Sequence, residues 1–156
     1  MSFIKKSIFL LTAVLLSFGL AACDKKSEET DTDKAISQYI QFQKELGVKD
    51  KKEQIASIHD IFADDVVKIT DGHTVAKGHD ALDNHWLELR NRYGSWHIII
   101  KEQSLSPDQK SATLKYSIAT EKAGSFEVVT ILTLSDDYKI KEISELYYQT
   151  EFEQDE

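Results

Sequence analysis

The stretch Phe62–Trp86, FADDVVKITDGHTVAKGHDALDNHW, decides the fold. Val66–Thr70 is a run rich in β-branched residues that stops at the turn pair Asp71-Gly72. His73–Lys77 then supplies the partner strand of a hairpin. At Gly78-His79-Asp80 the period changes. With Asp80 as the expected N-cap, Leu82, His85, Trp86, Leu89 and Tyr93 recur along one stripe of a helix.

Towards the carboxy terminus the period returns to two. Trp96–Leu105, Ser111–Lys122, Ser125–Ser135 and Tyr138–Glu151 are rich in Ile, Val, Thr and aromatic residues. Ser106-Pro107-Asp108, Ala123-Gly124 and Asp136-Asp137 read as the turns between them. Towards the amino terminus, Lys34–Leu46 carries Ile36, Tyr39, Ile40, Phe42 and Leu46 on one helical face, with Gly47 as the expected stop. Asp50–Phe62 reads as a second amphipathic helix. Helices first and hairpin-linked strands afterwards predict an α+β domain, about three helices on one face of a curved antiparallel sheet.

The first 23 residues have a different logic. Lys5 and Lys6 precede an apolar run, Ile8–Leu20, that is too short to span a bilayer comfortably, and Leu20-Ala21-Ala22-Cys23 closes it. This resembles a bacterial lipobox, which implies cleavage before Cys23 and lipid, palmitate included, on its thiol and new amino terminus. Cys23 is the chain's single cysteine, so no internal disulfide can form. Asp24 resembles the enterobacterial signal for retention at the periplasmic face of the inner membrane, the outer membrane being the alternative. The division expected is 1–22 signal peptide, 23–33 lipidated cysteine and polar tether, 34–151 folded domain and 152–156 acidic tail. Without the signal, the chain has a formal charge of −10, which disfavours nucleic acid as a partner.

The domain resembles the nuclear-transport-factor-2-like superfamily, also called SnoaL-like, whose fold is cystatin-like and whose members include ketosteroid isomerase and polyketide cyclases. Phe62-Ala63-Asp64-Asp65-Val66-Val67, Asp71-Gly72, Gly78-His79-Asp80-Ala81-Leu82 and Trp86 are similar to its YADDAxV…DG…GxxAI…FW stretch. Leu132–Gln149 is similar to its last two strands. The resemblance implies a cone with an apolar pocket open at one end. Both acid positions of the isomerase fall on threonine, Thr70 and Thr130, and threonine cannot serve as the base. Asp71, one position on, would point out of the pocket if the strand stays regular.

The pocket is expected to be lined by Tyr39, His85, Trp86, Tyr116, Thr130 and Tyr147. His85 with Glu145 is the pair to test for general acid–base work. His73, His79, His85 and His97 straddle different elements, so no metal and no cofactor is expected. Tyr147 and Tyr148 put one ring in the pocket and one outside, where it would serve a homodimer. The leading expectation is a membrane-anchored, extracytoplasmic domain that binds a small apolar ligand or a partner protein without catalysis. An enzyme of the cyclase, isomerase or hydratase kind and a structural dimerisation module are the alternatives.

Overall fold

A computed structural model describes residues 29–48 and 58–149. The signal segment, Cys23, most of the expected second helix and the acidic tail lie outside the described residues.

Helix α1 spans Asp31–Val48. It starts three residues before the apolar pattern does, because Thr30 caps it. The Asp33 amide donates to Thr30 Oγ1 (3.1 Å), and the Thr30 amide donates back to Asp33 Oδ2 (3.0 Å). This reciprocal box uses two otherwise orphaned donors, so Asp31–Asp33 belong to the helix and not to the tether. The Thr32 hydroxyl, fully buried, donates to the Gln109 carbonyl at 2.6 Å and fixes the start of α1 on a turn of the sheet.

A short helix α2 (Ile58–Ile61) leads directly into β1 (Phe62–Thr70), so Phe62 opens a strand where a helix end was expected. Hairpin strand β2 (His73–Lys77) follows, then α3 (His79–Tyr93). Asp71 and Gly72 both take positive φ, 49° and 80°, which a two-residue hairpin of the right twist requires. The α3 N-cap is Gly78, with no side-chain cap, and Asp80 sits in the first turn.

Strands β3 (Trp96–Leu105), β4 (Ser111–Thr120), β5 (Gly124–Leu134) and β6 (Ile140–Gln149) complete a sheet of order β2-β1-β6-β5-β4-β3. The expected antiparallel arrangement holds for every pair but one. β1 and β6 run parallel, because the chain leaves the β1–β2 hairpin through α3 and returns from the far edge.

The sheet curls around α1 and α3. At its centre Phe42, Phe62 and Trp86 pack with ring centroids 4.7–5.4 Å apart, and each such pair adds roughly 0.5–1.5 kcal/mol beyond area burial. The end of the cone near the β3–β4 and β5–β6 turns is solid. There Ile36, Ala112, Leu132, Leu134 and Ile140 are all buried. At the other end α1 closes on β3: a Cβ on Gly47 would collide with the Trp96 carbonyl, so Gly47, one residue before the helix end at Val48, also marks a close approach. Arg90 donates to the Gly47 carbonyl and lies 5.5 Å over the Trp96 ring, tying α1, α3 and β3 together.

Candidate functional site

The half of the cone away from the solid end holds a cavity of about 310 Å³. Its walls are apolar: Trp86, Leu89 and Tyr93 from α3, Trp96 from β3, Ile118 from β4 and Phe126 from β5. Exposed Asp71, Val75 and Arg92 border its mouth. Its floor is ionic. Lys68 on β1 and Glu145 on β6, 1% and 2% exposed, meet at 2.5 Å.

Sheet register builds this floor. Val66, Lys68 and Thr70 share the inner phase of β1, and Ile143, Glu145 and Tyr147 share that of β6. Glu145 pairs with Thr70 across the parallel ladder and with Thr130 across the antiparallel one. The two strands that would carry acids in the isomerase carry threonines, and the strand between them carries the acid.

Every acceptor site of Glu145 is engaged. Oε1 accepts from the Tyr39 hydroxyl (3.0 Å) and from Tyr116 at 3.5 Å, while Oε2 accepts from Lys68 and from the Tyr147 hydroxyl (2.7 Å). A carboxylate offers about four such sites. Gln43 donates to the Tyr39 oxygen and Thr130 to the Tyr116 oxygen, each at 3.2 Å. Burial pulls the Glu145 carboxyl upward, but the Lys68 charge and the donated hydrogen bonds outweigh it and hold the group below its ordinary range. Burial and the Glu145 charge push Tyr39, Tyr116 and Tyr147 well above the usual phenol value, so they stay neutral donors. Thr70 Oγ1 alone is buried without a hydrogen-bond partner among the described residues.

Of the residues expected to line the pocket, His85, Trp86, Tyr116 and Tyr147 do. Tyr39 and Thr130 do not. They stand one layer back, screened by Glu145 and Tyr116, whose oxygens they hold. Asp71 reaches the rim from the hairpin turn, where side chains no longer alternate as in a strand, its Oδ1 accepting from the Tyr147 amide at 3.2 Å. His85 and Glu145 share the cavity, yet no described hydrogen bond joins them. His85 is half-buried, and burial together with the nearby Lys68 charge lowers its pKa against the opposite pull of Glu145 and Glu88. It is therefore a neutral imidazole near pH 7.

Among the described residues, no group of three or more His, Cys, Asp and Glu is placed to hold a metal. His73 and His97 are exposed, while His79 bonds the Phe62 carbonyl at 3.0 Å. The residue that sequence reasoning missed is Lys68. Its signal was its phase: a lysine between Val66 and Thr70 on the inward side of a strand that alternates.

No protein-family model matches the chain, and no curated protein matches it. Solved structures do. A SnoaL-like family protein from Agrobacterium tumefaciens superposes with a TM-score of 0.63 at 6% identity, over 76% of this chain and 98% of its own. An NTF2-like protein of unknown function from Exiguobacterium gives 0.60 at 15%, over 74% and 99%. The epoxide hydrolase/cyclase-like enzyme of pyran ring formation in salinomycin gives 0.62 at 15%, over 78% and 94%. The domain therefore has the nuclear-transport-factor-2-like, SnoaL-like fold. Proteins of that fold include cyclases and isomerases, and identities this low carry likeness of fold alone.

Proposed function

We propose that this protein is a lipoprotein of the bacterial envelope, anchored through Cys23 at the periplasmic face of the inner membrane, whose domain binds a small, largely apolar ligand without transforming it. The observation that carries the binding half is the cavity itself. Its walls are aromatic and aliphatic, and its one buried carboxylate is already saturated by Lys68 and three tyrosines. A carboxylate held below its ordinary range and already accepting four hydrogen bonds is a weak base, whereas a rigid, electrically balanced floor suits recognition. The lipobox at Leu20–Cys23 carries the anchoring half.

Native mass spectrometry of the full-length protein, extracted from membranes in mild detergent, tests both halves. The expected result is a triacylated Cys23 with an additional retained mass, and loss of that mass in Ile118→Trp, which fills the cavity. An unmodified amino terminus at Cys23 refutes the anchor. A retained mass that Ile118→Trp leaves in place refutes the pocket.

One observation favours an enzyme of the cyclase or isomerase kind as the second reading: neutral His85 faces the cavity and is free of the Glu145 network. Turnover of a ligand recovered from the protein, abolished in His85→Gln with the ligand still bound, would establish it over the first.

A further inference from the structure

The fold fixes which way the pocket points relative to the anchor. β4 starts at Ser111 at the solid end and reaches Thr120 at the mouth, while β5 runs back from Gly124 to Leu134. The cavity is lined from the Thr120 and Phe126 side. The start of α1 is bolted to the opposite end, where the Thr32 hydroxyl bonds the Gln109 carbonyl in the β3–β4 turn. The chain from Cys23 therefore enters the domain at the solid end.

Lengths then decide the matter. The ten residues of β4 span about 30 Å from end to end. Six residues lie between Cys23 and the capping Thr30, and the seven Cα-to-Cα steps from one to the other reach at most about 25 Å in any conformation. An inverted domain, with its mouth against the headgroups, would lift Thr30 higher than its own chain can follow. Full extension also costs all the conformational freedom of those residues. The acidic domain gains nothing from anionic lipid that would offset this.

We propose that the anchored domain stands with its solid end towards the bilayer and its pocket mouth towards the aqueous compartment, so that ligand is exchanged with that compartment and not drawn from the anchoring membrane. This rests on the Cys23 anchor proposed above.

With Cys23 acylated, an introduced cysteine is the chain's one free thiol, so the test is direct. The full-length protein carries a donor dye either at the mouth, His73→Cys, or at the solid end, Asp136→Cys. Both sites are exposed. Each is reconstituted in phosphatidylethanolamine–phosphatidylglycerol vesicles with acceptor dye on the headgroups. Stronger energy transfer from position 136 than from position 73 is expected, and a Gly/Ser spacer of about twenty residues between Lys26 and Ser27 should erase the difference. Equal or stronger transfer from position 73 overturns the orientation. A difference that survives the spacer overturns the tether argument. Protein that fails to float with the vesicles overturns the anchor, and the orientation with it.

Discussion

Removing one member of the buried Lys68–Glu145 pair leaves the other charged without its counter-charge. Lys68→Met should destabilise the domain by roughly 3–5 kcal/mol, read from the urea midpoint, and Lys68→Met combined with Glu145→Gln should recover much of the loss. Thr70→Val removes a hydroxyl that is buried without a partner, and should raise stability by about 1 kcal/mol in the same assay. The site also sets a pH window. Glu145 titrates below its unfolded value, so its contribution is complete above the ordinary carboxylate range and fades as pH falls through the lowered folded pKa. The three tyrosines titrate above theirs. Their contribution is complete below about pH 10 and fades above it. Melting temperature against pH should show a plateau with an alkaline fall that begins before the phenolate absorbance of these tyrosines rises. The inward phase of Glu145 was legible from Ile143 and Tyr147 beside it. Its cation showed only by phase, since alternation puts Lys68 on the inner side with Val66 and Thr70 but does not say which acid on which strand it meets.

At the scale of elements, strand number and turn positions were readable because β-branched runs and Asp, Gly and Pro pairs punctuate the second half of the chain. The start of α1 was not. Its start is polar, so periodicity is silent there, and only the Thr30–Asp33 box marks it. Its Gly47 lies where a stop belongs, but the constraint is the Trp96 backbone of β3, which lies far off in sequence. Ala at position 47 gains roughly 1 kcal/mol of helix propensity over Gly, yet its methyl group needs space that the Trp96 carbonyl occupies. Gly47→Ala should therefore lower stability by about 1–3 kcal/mol, with loss of the Trp96 near-ultraviolet dichroism before far-ultraviolet helix content. The parallel β1–β6 pairing was equally hidden, since nothing in a strand's own sequence says which partner a crossover will bring.

For the molecule as a whole, the inner face of the sheet is spoken for and the outer face is not. Ile131, Leu146 and Tyr148 are exposed there on adjacent strands β5 and β6, Tyr148 at 57%. If this patch serves self-association, the full-length protein in detergent should dimerise with rising concentration, and Leu146→Lys should abolish the dimer without altering the melting temperature. Sedimentation velocity reads both outcomes. Cys23→Ser should remove any acyl mass from the protein and leave the thermal melt of the domain unchanged, because the described core is built without residue 23.

Both tryptophans of this chain, Trp86 and Trp96, stand in the wall of the cavity, and there is no third. Emission excited above the tyrosine absorption band is thus a signal from the pocket alone, undiluted by indoles elsewhere. Any molecule that enters changes the polarity around both rings, so candidate ligands can be ranked by titrating the unlabelled protein and watching its own light.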